Sequence, residues 1–183
     1  MMYYKKIIIG AAVLIFFAFS VFMIYNVNSV FPNAEDKAYR TGDEIRYRGL
    51  KLTVGEIEVW TQEEFQEKYH AIQKNDSDCN YVIAKITLEN DTDKIIKFGK
   101  FGSVTHWVIE TGINGNGMDQ LLFIELNPSY ATSFSSGQKQ ELILPFYLSE
   151  EQITYYELMQ EDKKIIYSFY PTKAYILHEG RGK

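Results

Sequence analysis

Cysteine is nearly absent from this chain. Cys79 is the one cysteine among 183 residues, which excludes an intrachain disulfide framework and a cysteine-based zinc cluster. Proline is scarce, with four residues, and the twelve glycines follow no period, so collagen-like and low-complexity architectures are excluded. Basic residues are the minority charge: 19 Lys+Arg stand against 24 Asp+Glu, which argues against a general nucleic-acid binder. His70, His106 and His178 are the three histidines, and none forms a His-x-His or His-Glu-x-x-His pair. What is abundant is apolar and aromatic side chain, 46% and 15% of residues, enough to offset the entropy of ordering one domain. A mean hydropathy of −0.22 is too polar for a multi-span membrane protein.

The apolar residues are concentrated at the start. Lys5 and Lys6 precede residues 7–25, a run of 19 without charge. At ~1.5 Å per residue such a helix covers roughly 28 Å, close to the ~30 Å hydrocarbon core. We read it as a single transmembrane helix, with the membrane as its partner. Both lysines lie before the run, so the amino terminus is expected in the cytoplasm and the remainder outside. Tyr3, Tyr4 and Tyr25 fall at the interfaces. The alternative is a cleaved signal peptide, with Ala18-Phe19-Ser20 or Val27-Asn28-Ser29 as the processing site. Export follows either way. No cysteine follows the run to accept a lipid. Residues 1–30 hold two Lys and no acid, which leaves −7 of the formal −5 net charge to the exported part. Anionic headgroups repel such a body, so it is expected to stand off the bilayer.

The expected organisation is a basic start at 1–6, the apolar span at 7–25, a polar linker or stalk at 26–43 containing Pro32, a β-domain at 44–178 and a flexible tail at 179–183. From Glu44 the dominant period is two. Leu50, Leu52 and Val54 alternate with Lys51 and Thr53, and Gly55 then suggests a bulge. In residues 80–89, Val82, Ala84, Ile86 and Leu88 form one face and Lys85, Thr87 and Glu89 the other, a half-buried antiparallel strand. Residues 94–98, 105–111 (Trp107 and Ile109 inward), 120–126, 155–160, 165–170 and 173–178 read as further strands, with 112–117 as a glycine-rich hairpin tip. In residues 140–148, Leu142, Leu144, Phe146 and Leu148 share a face, and Pro145 places the strand at an edge or bulge. Two capping signals interrupt the pattern: Thr61-Gln62-Glu63-Glu64, with Phe65, Tyr69 and Ile72 on one helical face, and Ser149-Glu150-Glu151-Gln152. The fold class is mainly β: an immunoglobulin-like antiparallel β-sandwich with one or two short helices, preceded by a single N-terminal transmembrane helix.

Chemistry-bearing motifs are weak. Asp76-Ser77-Asp78-Cys79-Asn80 begins like a calcium loop, but Tyr81 stands where glycine is needed and Thr87 where the bidentate Glu belongs. Residues 112–117 lack the following Lys and helix of a phosphate cradle. Glu63, Glu64, Glu67, Glu150 and Glu151 are acids of first helical turns, favoured there by the macrodipole. Cys79 reads as a lone thiol, with an intermolecular disulfide as its alternative. No catalytic, metal or cofactor residue is therefore assigned, and the chain is not read as an enzyme. The candidate partner-binding residues are Tyr147, Tyr155 and Tyr156, because their neighbouring parities turn at least one ring outward.

The strand running from Tyr81 through Glu89-Asn90, the Ser136-Gly137-Gln138-Lys139 turn and the following Leu142-Ile143-Leu144-Pro145-Phe146 resemble one group of proteins. These are uncharacterised exported proteins of Gram-positive bacteria that carry immunoglobulin-like (telokin-like) domains of unknown function. The resemblance covers residues 49–170 and implies no active site; many members are lipoproteins, and this chain lacks the lipid-accepting cysteine. The expected function is a non-catalytic extracytoplasmic binding module, anchored to the membrane, with an unknown protein or glycan of the cell envelope as its partner. A cell-envelope enzyme acting on glycan or peptide, or an accessory subunit of a transporter or sensor, are the alternatives.

Overall fold

A charge-free apolar run has no polar side to offer a folded core or water, and here it forms one long helix. The structure, a computed structural model, describes residues 2–30, 34–70, 78–97, 106–167 and 172–181. Helix α1 is Met2–Val30. Its Ile9–Val30 segment of 22 residues is long and apolar enough to cross a bilayer, and none of its most apolar window is buried against the rest of the chain. In chain order there follow β1 (Glu35–Tyr39), β2 (Glu44–Tyr47), β3 (Leu50–Thr61), α2 (Gln62–Tyr69), β4 (Cys79–Glu89) and β5 (Ile96–Lys97). Then come β6 (Val108–Thr111), β7 (Asn114–Gly117), α3 (Gln120–Leu126), β8 (Ser133–Phe134) and β9 (Lys139–Ser149). The last elements are α4 (Tyr155–Gln160), β10 (Lys163–Ile166) and β11 (Thr172–His178).

Two sheets face each other. One has the order β2-β3-β4-β9 and the other β1-β11-β10-β6-β7, with β5 and β8 as a small third pair. Between them lie Val82, Ala84, Ile86 and Leu88 of β4 and Leu142, Leu144, Phe146 and Leu148 of β9, as the period of two predicts. Trp107, Ile109, Ile165 and Ile176 face them from the second sheet. Burying a side chain of this kind stabilises by about 1.5–3 kcal/mol. The fold is thus a mainly-β sandwich. Its strand pairs are antiparallel apart from β1 and β11, which run parallel with Glu35 opposite Thr172.

Several expectations are corrected. The linker expected over 26–43 is part helix and part sheet: α1 continues to Val30, and β1 is an edge strand of the sandwich. Residues 31–34 alone separate the two. The strands expected at 120–126 and 155–160 are helices α3 and α4. Asp119 caps α3 by accepting from the Leu121 and Leu122 N–H groups, and Thr154 with Glu157 closes a full capping box on α4. Those local bonds outweigh a weak period of two. Counting α2, three short helices follow α1 among the described residues, one more than expected. The Ser149 signal makes a single turn, in which Gln152 and Ile153 N–H groups donate to the Ser149 carbonyl. The tail is docked as far as Arg181: the Gly180 N–H donates to Asp162 at 3.0 Å and the Arg181 N–H to the Met159 carbonyl at 3.0 Å. A side chain at Gly180 would overlap the backbone of Gln160. β4 is covered on both faces, because Phe65 of α2 and Leu122 of α3 bury Cys79, Tyr81 and Ile83 on its outer side. Ile72, Asp76, Ser77, Phe98, Thr105 and Tyr170 lie outside the described residues.

Other expectations match. Thr61 and Glu64 make the reciprocal capping box of α2. The β3–β4 register shifts between Val54 and Ile57, and a Cβ at Gly55 would come within 2.7 Å of the Lys85 carbonyl oxygen. β9, which holds Pro145, is an edge strand.

Candidate functional site

The bulge at Gly55 divides β3; the bulge itself borders one concavity and the half beyond it borders another. The first is a trough of about 630 Å³ on the outer face of β3, β4 and β9. Gly55, Lys85, Thr87 and Ile143 line it on the sheet side; Leu126, Pro128 and Ser129 belong to the segment after α3. That segment is fixed by side chains acting as backbone. Asn127 donates to the Phe123 and Ile143 carbonyls and accepts from the Ile143 N–H, all at 2.8 Å. Gln140 accepts from the Ala131 N–H at 2.9 Å and donates to the Ser129 carbonyl at 2.8 Å. The exposed edge of β9 is thereby partly paired, which blunts its tendency to recruit another strand.

The second concavity is a cleft of about 400 Å³ at the far half of β3. Residues 57–60 form one wall. Tyr155 and Met159 of α4, Lys163 of β10, His178 of β11 and the docked Glu179 and Arg181 complete it, with Glu64 of α2. Both inward Ile57 and Val59 and outward Glu58 and Trp60 line it. On this half of β3 the described residues pair with β4 alone, which leaves the other edge of the strand beside the cleft.

Charges around the cleft are mostly engaged. Glu58 accepts from Lys85 Nζ at 2.9 Å, Tyr69 Oη at 3.1 Å, Trp60 Nε1 at 3.2 Å and Lys68 Nζ at 3.3 Å. Burial pushes its carboxyl upward, but the hydrogen bonds from Lys85, Lys68 and Tyr69 prevail and hold it below the usual range. Burial, with Glu58 beside it, pushes the Tyr69 phenol up to about 12. Lys68 Nζ also sits 4.0 Å from the Trp60 ring centroid, a cation–π contact. Lys163 is buried, and its Nζ donates to the Leu158 and Glu161 carbonyls at 2.6 Å each, which caps the end of α4. Burial lowers its ammonium to about 8. Burial also lowers His178, with the charges of Lys163 and Arg181 adding to the effect. Glu64 is held in its capping box and Glu179 pairs with Arg40 at 2.7 Å.

The three tyrosines expected to form a surface are not brought together. Tyr155 is half-buried and lines the cleft. Tyr156 is 74% exposed, and Tyr147 is half-buried against the small core under α2 and α3. Trp60, Met159 and Arg181 were missed as cleft residues, because their approach depends on contacts distant in sequence. Among the described residues no cluster of three or more His, Cys, Asp or Glu is arranged to hold a metal. Asn80 instead donates to Glu150 and to the Ile153 carbonyl. Cys79 is buried beside Gln62, with Sγ 3.1 Å from Oε1, so an intermolecular disulfide would require local opening. Gly112 and Ile113 turn the chain, and the other residues of the expected tip form β7.

The family described as "Domain of unknown function (DUF5028)" matches residues 25–174, and the chain belongs to it. No curated protein matches. An uncharacterised β-sandwich protein from Clostridium difficile is similar over 80% of this chain and 97% of its own, with 12% identity and a TM-score of 0.50. A conserved hypothetical protein from Bacillus anthracis covers 70% of this chain and 88% of its own at 9% identity and TM-score 0.48. A functionally unknown protein from Listeria monocytogenes covers 68% and 71% at 13% identity and TM-score 0.43. The first of these likenesses bears out the sandwich fold and nothing about activity.

Proposed function

We propose that this member of the DUF5028 family is a non-catalytic binding module, held at the outer side of the cytoplasmic membrane by α1. One observation carries the reading: an apolar helix, none of whose most apolar window is buried against the rest of the chain, is separated by residues 31–34 alone from an edge strand of a folded sandwich. Exposing that much apolar surface to water is costly, and a bilayer removes the cost. Lys5 and Lys6 ahead of the span favour the orientation with the sandwich outside. From Val30 to Glu35 the chain reaches at most roughly 17 Å, so the sandwich sits at the bilayer surface rather than on a stalk. The immunoglobulin-like assignment belongs to this proposal, as does an envelope protein or glycan as partner.

A tag placed after Lys183 tests the reading. In intact protoplasts it is expected to be cut by added protease, and an intact mass retaining residues 1–30 is expected from the membrane fraction. Protection of the tag, or full-length protein in the soluble cytoplasmic fraction, would overturn it.

A further inference from the structure

The cleft has a property that its side chains alone do not reveal: one of its walls is a bare strand edge. β2 pairs with Leu50 to Thr53 of β3, and Gly42 and Asp43 carry that ladder to Val54. Past the bulge, residues 57–61 pair with β4 on one side, and among the described residues no strand pairs on the other. In an antiparallel strand, alternate residues aim N–H and C=O at each neighbour. Alternate residues of 57–60 therefore present a donor and an acceptor to the cleft. Their half-burial by α4 and the docked tail makes this edge a slot rather than an open flank.

Among the lining charges outside the ion pairs of the described residues, Lys163 and Arg181 are positive and Glu64 is negative, a positive balance. Glu58, Glu64 and Glu179 are taken up by Lys85 and Lys68, by the α2 cap and by Arg40. Lys163 is taken up by carbonyls. Among the described residues no ion pair engages Arg181. Sugar hydroxyls can bond single backbone groups but do not repeat at a strand's spacing, whereas an extended polypeptide matches the ladder group for group.

We infer that the cleft beside residues 57–60 receives an extended acidic peptide, which adds to β3 as a strand and places a carboxylate near Arg181. The inference rests on the binding-module reading and names the class of its ligand. Apolar residues at alternate positions of such a peptide would meet Ile57 and Val59 on one side and Trp60 and Tyr155 on the other.

The test uses the full chain in phosphatidylcholine nanodiscs and the acetylated, amidated probe Asp-Val-Thr-Val-Thr-Val-Asp. Saturable binding is expected, with deuterium uptake by residues 56–61 slowed at least about threefold. Methylating alternate probe amides is expected to weaken binding about tenfold, the equivalent of one or two net hydrogen bonds. Arg181→Ala is expected to weaken the Asp probe about threefold and leave a Lys-ended probe unchanged; only the backbone of Arg181 is docked, so the fold survives this change. Four results would each overturn the inference: no saturable binding, equal binding of the methylated probe, unchanged exchange at 56–61, or equal affinity for the Asp and Lys probes. Membrane sidedness does not enter this measurement, so its failure is separable from failure of the protoplast test.

Discussion

The two halves of β3 have the same length scale and the same neighbour, β4, yet differ in how they are held. Leu50, Leu52 and Val54 are essentially sealed, with strands on both sides. Val59 and Trp60 are half-buried and have a strand on one side only. At the bulge the inward set shifts from even to odd residues and pairing with β4 resumes, whereas pairing with β2 does not. A sealed stretch and a half-open stretch can therefore share one strand when a bulge separates them and the neighbour β2 ends there.

Substitutions can break or sharpen this contrast. Leu52→Ala is expected to cost about 2–5 kcal/mol, while Val59→Ala costs under ~1 kcal/mol, read from urea midpoints. Equal costs would mean that the second half is as enclosed as the first. Gly55→Val is expected to cost about 2 kcal/mol, because the new side chain meets the Lys85 carbonyl and must push β3 and β4 apart. A neutral result would show that the bulge is not fixed at this glycine. Thr61→Ala removes the α2 cap at the end of the open half, with an expected loss of about 1 kcal/mol. Circular dichroism of the α2 signal combined with urea titration would check it.

The smallest effect is electrostatic. The Glu58 carboxyl is held below its ordinary range, so its charged form stabilises the fold above the unfolded value of about 4.3. That contribution is lost as pH falls through the lower folded value. Glu58→Gln is therefore expected to flatten the fall in urea stability between neutral and acid pH. An unchanged slope would remove Glu58 from the set of groups that stiffen the open half.

Elements whose faces alternate over many residues were legible from sequence: β4, β9, the first half of β3 and the α2 cap each carry their own local signal. The misread segments were short. In Gln120–Leu126, adjacent Leu122 and Phe123 serve different cores, and no simple period survives that division. In Tyr155–Gln160 the preceding Ser149 signal drew attention from Thr154 and Glu157, which set the real helix start. β1 was missed because a parallel edge strand with four of its five side chains exposed has no apolar face to show. The cleft was legible only through Tyr155. Its remaining walls come from β3, β10, β11 and the tail, and nothing local in any of them reports that β2 ends early.

The brevity of the link between α1 and β1 has a consequence for encounter. With α1 in the bilayer, the sandwich is restricted to a thin layer and explores it by lateral diffusion. A ligand segment carried by another protein of the same membrane shares that layer, and confinement by short tethers raises effective concentration toward the millimolar range. On the proposed reading, weak intrinsic affinity then suffices for neighbours in the membrane, while targets farther from its surface lie beyond reach.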